Sequence, residues 1–213
     1  MKRLMLLLLA ALMLLPAFAV AEGNQVMKLA DDAYLRDLVT DGETLYAVCD
    51  NMLYACKPGD AEMTQWESDI RFPDTDGEGD PAHFFYEFTI FAGDGGLRGI
   101  RLQNDADGYP ESLVLFDLAF TDHNTVEAEN ARTLDAPSEL KDMQWFYLAK
   151  GSMSGGMLYL MGQTDDGCVL CVMDESDPKR GRVERMTSWE CDLLATPGGV
   201  LLAELLCAEG YID

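Results

Sequence analysis

Cys168 and Cys171 stand three apart in the run Gly167-Cys-Val-Leu-Cys-Val-Met173, a spacing suited to disulfide exchange or to half of a zinc tetrad. Redox exchange needs that motif at the start of a helix after a strand. Here β-forming residues flank it, and no second such pair or nearby His completes a set of four zinc ligands. The run reads as a strand that carries the two cysteines on opposite faces as small buried hydrophobes, with a bridge to Cys191 or Cys207, or chemistry, as the alternatives. Leu45 to Cys49 and Met52 to Cys56 flank Asp50-Asn51, a two-residue hairpin signal. In that register Cys49 faces Met52 and Cys56 faces Leu45, which sets the two sulfurs more than about 10 Å apart, beyond the reach of a bridge.

Other chemistry finds less support. Gly151-Ser-Met-Ser-Gly155 has Met153 where a nucleophile elbow needs Ser, and Gly155-Gly156 is followed by Met157 rather than the Lys of a phosphate loop, so a hairpin turn accounts for it. His83 and His123 sit in polar stretches with no partner identifiable from the sequence. Among 38 carboxylates a glycosidase-like pair can be drawn anywhere, so none is assigned. No catalytic, cofactor-binding or metal-ligating residue is therefore named.

Two acidic loops call for comparison with calcium sites. Asp74-Thr-Asp76-Gly-Glu78-Gly79-Asp80 alternates carboxylates like the front of an EF-hand loop, but its twelfth position is Phe85, which supplies no bidentate ligand. Asn104-Asp105-Ala-Asp107-Gly108-Tyr-Pro-Glu111 is similar to the calcium turns of integrin-type propeller repeats and lacks their full run of acids. At each loop the reading is a solvated acidic turn, with calcium as the alternative. Trp66, Tyr86, Trp145 and Trp189 read as fillers between sheets, with a sugar-stacking surface as the alternative.

The chain begins as an exported protein does. Lys2 and Arg3 precede the apolar run Leu4 to Phe18, broken by Pro16, and Ala19-Val20-Ala21 offers the small residues of a signal-peptidase site. Cleavage is expected after Ala21, leaving a secreted or extracytoplasmic chain with no later hydrophobic span. That removes Lys2 and Arg3 and no acid, so the net charge moves from −23 to −25. Phosphate backbones and anionic lipid are repelled by such a surface, which excludes nucleic acid and membrane surfaces as partners.

The elements that hold these residues are organised by repetition. Four times an apolar run meets a glycine turn and a second apolar run: Leu38 to Val48 about Gly42, Phe88 to Leu102 about Gly96, Trp145 to Met161 about Gly156, and Leu193 to Leu205 about Gly199. Further strand pairs follow the first three, namely Met52 to Cys56 with Thr64 to Trp66, Ser112 to Phe120 with Thr125 to Ala128, and Cys168 to Met173 with Arg182 to Met186. The turn glycines lie 54, 60 and 43 residues apart, each interval close to one four-stranded unit.

This arrangement resembles the degenerate β-propeller repeats of secreted bacterial proteins, through repeat spacing and turn placement alone. The expected fold is all-β, a propeller-like array of about three to four antiparallel four-stranded blades, with a β-sandwich as the alternative. The expected organisation is a signal peptide over 1–21, an N-terminal segment over 22–35 and a propeller-like domain over 36–213. Its units cover about 36–70, 84–134 and 143–189, with a partial unit at 190–213. Because Val200, Leu201, Leu202, Leu205 and Leu206 call for a covering sheet, the chain reads as the front of a longer, truncated propeller; the alternative is a small ring closed by Gln25 to Leu29. The expected role is an exported noncatalytic scaffold for an unknown protein or carbohydrate ligand, the alternative being the propeller part of a secreted hydrolase acting on carbohydrate or peptide. If the cysteines are unbridged, thiol titration of the denatured, unreduced protein will detect them, and a count of zero will contradict that reading.

Overall fold

The computed structural model describes residues 34–49, 52–60, 62–72, 82, 88–93, 96–186, 191–196 and 199–204. Residues 25–29, the loop at 74–80, and Tyr86, His83, Trp189 and Cys207 lie outside them. The protein is all-β. Its strands are β1 (Asp37–Thr40), β2 (Leu45–Val48), β3 (Met52–Cys56), β4 (Thr64–Ser68), β5 (Thr89–Gly93), β6 (Gly96–Asn104), β7 (Pro110–Phe120) and β8 (Thr125–Asp135). A short helix α1 (Ser138–Lys141) precedes β9 (Tyr147–Ser154), β10 (Met157–Thr164), β11 (Gly167–Asp174), β12 (Asp177–Arg185), β13 (Cys191–Thr196) and β14 (Gly199–Glu204).

Within each of four groups the strands pair antiparallel with their neighbours in sequence, which makes three meanders, β1–β4, β5–β8 and β9–β12, and a hairpin β13–β14. The first two meanders join into one eight-stranded sheet through a short parallel contact of β4 with β8, where Glu67 faces Thr125 and Ser68 faces Val126. β1 and β5, the ends of that sheet, come back beside one another, so its outline is barrel-like and nearly closed.

Glycine and Asp build the turns because they tolerate the required backbone. Gly155 and Gly156 take φ of +60° and +78° between β9 and β10, the pair of positive values that a two-residue type I′ hairpin demands. At the β1–β2 turn Asp41 Oδ1 accepts the N–H groups of Glu43 and Thr44 at 2.9 and 2.7 Å, and the Tyr46 hydroxyl donates to Oδ2 at 3.0 Å. Burial alone raises the Asp41 pKa, but these hydrogen bonds outweigh it and hold the carboxyl below its ordinary value.

Strand alternation sends apolar side chains of the middle meander to both sides. Ile90, Val114, Phe116 and Leu118 pack with Tyr46, Val48, Leu53 and Ala55 of the first meander. Phe91, Ile100, Leu113 and Leu115 pack with Leu158, Leu160, Val169, Cys171 and Met173 of the third. The period of two in β7 is what separates 113 and 115 from 114 and 116.

The cysteines follow the expected register. Cys56 pairs with Leu45, the Cys49 N–H donates to the Met52 carbonyl at 2.9 Å, and Cys49, Cys56, Cys168 and Cys171 are thiols without disulfides. Burial, with the charge of Glu139 second, pushes the Cys171 thiol up to about 12, so it is an inert packing group rather than a nucleophile.

Close approach of the second and third meanders depends on Gly151 in β9. A Cβ there would lie 2.8 Å from Phe91 Cδ1 and 3.3 Å from Ile100 Cγ2. Gly151→Ala should therefore push the two sheets apart and lower stability by about 1–3 kcal/mol in urea unfolding, whereas an unchanged midpoint would show that the seam yields.

Candidate functional site

The seam between the second and third meanders is apolar at its centre and ionic at one end. Arg98 in β6, Asp117 in β7 and Arg132 in β8 share the face that meets the third meander, and Glu175 comes from the β11–β12 turn opposite. Arg98 Nε lies 3.1 Å from Asp117 Oδ1, while its two terminal nitrogens donate to Glu175 at 3.2 and 3.3 Å, a two-point contact that matches guanidinium to carboxylate. Arg132 also contacts Glu175. Asn130, at the bulge of β8 with φ of +51°, donates to Asp117 Oδ2 at 2.9 Å. These groups bond one another, so the cluster clamps two sheets. An open groove of about 410 Å³, lined by Thr133, Asp135, Glu175, Asp177 and Lys179 among others, runs beside it.

A second ionic group joins first strands of different units. Lys150 sits on β9 beside the bulge at 149, with Nζ 3.1 Å from Asp37 Oδ1 of β1 and 2.7 Å from Asp192 Oδ1 of β13. Burial favours the neutral amine, but the hydrogen bond to Asp192 and the charge of Asp37 prevail, and the Lys150 pKa stands above its ordinary value.

The third feature is an aromatic rim. Trp145 precedes β9 with φ of +59°, a left-handed backbone that costs a bulky residue on the order of 1–3 kcal/mol. Its N–H donates to the Gly108 carbonyl at 3.2 Å, and the Gln144 side-chain amide donates to the Asp107 carbonyl at 2.8 Å. The indole lies against Gly108, where a Cβ would be 3.2 Å from Trp145 Cζ3. Yet the ring is not enclosed: Trp145 is 49% exposed and Tyr147 is 64% exposed, while Phe146 between them is buried in the seam core.

The residues singled out in the sequence fall in different places. Asp105 Oδ1 accepts the N–H groups of Asp107 and Tyr109, both at 2.9 Å, so this carboxylate shapes its own turn, and Asp107 and Glu111 are exposed. Among the described residues no three His, Cys, Asp or Glu side chains are grouped as a metal site requires, and no helix is long and apolar enough to cross a membrane. His123 is exposed, with Nε2 3.6 Å from Asp122 Oδ1. Gly151 to Ser154 lie within β9, and Gly155-Gly156 is the hairpin turn. Trp66 packs against the core that the eight-stranded sheet wraps, edge-on to Phe120 of the same sheet at 4.9 Å between ring centres. Trp145 does not, because its left-handed backbone turns it onto the rim. No local pattern announced that conformation, and the sole hint was Gly108, which leaves room for a ring.

No family model matches the chain, and no curated protein matches it. Among solved structures the chain is similar to AztD of Citrobacter koseri, with 10% identity and a TM-score of 0.36, over 78% of this chain and 64% of that one. The chain thus spans less than two thirds of that protein's length, and a likeness so distant fixes neither fold nor function.

Lys150 yields a pH test. A lysine whose folded pKa is raised contributes fully below its unfolded value, near 10.5, and the contribution is lost as pH rises through the folded value. Stability should therefore fall as pH climbs above 10.5, and Lys150→Met should remove that part of the fall while lowering stability at neutral pH. A variant with the alkaline profile of the parent would show that the amine titrates alike in both states.

Proposed function

We propose that the chain is an exported noncatalytic binding scaffold, built as a propeller-like array in which the three meanders and the β13–β14 hairpin are successive blades. Support for the array comes from chain order: β1, β5, β9 and β13, the first strands of successive units, lie beside one another in turn, as strands around a common axis would. The leader at 1–21 supports export, and the units of the domain then follow the meanders from about residue 36 onward.

The observation that carries the binding role is Trp145, a large aromatic held in a costly backbone conformation yet half open to solvent. Strain of that kind persists where the surroundings hold it, and exposed indole is the kind of surface that ligands cover. The charged clusters support a noncatalytic reading because Arg98, Glu175, Arg132 and Lys150 are engaged in joining sheets.

An array of peptides and oligosaccharides offered to the immobilised full chain tests this. At least one ligand should bind saturably, lose affinity with Trp145→Ala, and leave with its mass unchanged. Release of a cleaved product would favour the hydrolase and sink the scaffold.

A further inference from the structure

The rim that carries Trp145 is predominantly acidic, with Lys141 beside Asp142 and Arg185 beside Asp166 as its basic neighbours. Asp105 and Asp107 belong to the turn that anchors Trp145, and Asp142 lies three residues before it. Tyr147 pairs with Gln163, which leads into Asp165 and Asp166 at the β10–β11 turn. All five acids are exposed. Asp105 uses one oxygen on its own turn and Asp166 pairs with Arg185 at 3.2 Å, while Asp107, Asp142 and Asp165 are exposed on the segments that adjoin Trp145 and Tyr147.

An anionic ligand is repelled here by the local acids and by a chain of net charge −23. A neutral sugar stacks on indole but draws nothing from the sign of the surrounding field. A cation gains from both, since the ring face attracts it and the carboxylates raise its local concentration. The chain makes such contacts within itself: Arg36 lies over Tyr34 at 4.9 Å and Arg101 over Phe72 at 4.4 Å.

Resting on the scaffold reading above, we infer that the Trp145–Tyr147 rim docks a basic partner, a protein segment that sets an Arg or Lys side chain on the exposed indole among Asp107, Asp142 and Asp165. Charge complementarity selects that occupant over an acidic protein or a glycan. Tyr147 extends the platform, and Gly108 beneath the indole keeps the ring in place.

Fluorescence anisotropy with the full chain tests the inference, using a labelled Gly-Arg-Gly-Arg-Gly amide, the same peptide with citrulline for arginine, and a neutral chitin tetrasaccharide. The arginine peptide should bind saturably and more weakly at about 200 mM than at about 50 mM salt. Trp145→Ala and the citrulline peptide should each weaken binding roughly tenfold, a loss in the range of one cation–π contact. Trp145→Leu, which keeps apolar bulk without a π face, gives the same reading if the alanine variant does not fold. Equal affinity for the arginine and citrulline peptides, no saturable binding, or affinity that survives loss of the indole in a folded variant would overturn it. Trp145-dependent binding of the tetrasaccharide alone would overturn the basic partner and leave the scaffold standing, whereas turnover of a probe would count against the scaffold.

Discussion

The middle meander is apolar on both faces, and everything else in the fold follows from covering it. A half-buried antiparallel sheet can leave one side to water, but Phe116 on one face of β7 and Leu113 and Leu115 on the other are all fully buried. At roughly 25 cal/mol per Å² of apolar surface, neither face can be left open in a chain of this size. The first meander closes one side and the third closes the other. β4 and β8 can then meet edge to edge, because the first two meanders wrap one core.

That stacking decides where glycine and charge are placed. Gly151 admits Phe91 and Ile100 at the seam, and Gly99 leaves room for the ring of Phe116 within the middle sheet. Where the seam runs out of apolar side chains, Arg98 and Glu175 close it with paired hydrogen bonds that orient one meander on the next. Partly buried ion pairs add little net stability but fix geometry, since each charge left without its partner is costly. Lys150 does the same between β9, β1 and β13. Among the described residues, Arg98, Glu175, Arg132 and Lys150 are thus engaged in joining meanders, while Trp145 stays half open to solvent.

Strands and their pairing were legible in the sequence because both signals are local. Glycine turns at Gly42, Gly96 and Gly156 separate alternating apolar runs, and the Leu45–Cys56 register follows from the spacing across Asp50-Asn51. The cysteines could be read as packing groups for the same reason, since register alone keeps Cys49 and Cys56 apart. What joins one meander to another was not legible. Arg98 and Glu175 are 77 residues apart, and nothing near either marks the other. α1 was missed because Ser138 to Lys141 is a single turn, held by Val183 N–H donating to Glu139 at 2.9 Å rather than by its own propensity. Trp145 was read as core because large aromatics usually are; its exposure depends on a left-handed backbone sustained by a turn 37 residues earlier.

Native-state hydrogen exchange of the full chain bears most directly on the covered middle sheet. Amides of Ile100, Leu113, Leu115 and Phe116 should be the slowest of the described strands and should exchange through global unfolding alone, with the more exposed strands β4 and β12 opening earlier. If β6 and β7 exchanged as fast as those exposed strands, or opened while the first and third meanders stayed protected, the middle meander would not be the element that the others are built to cover.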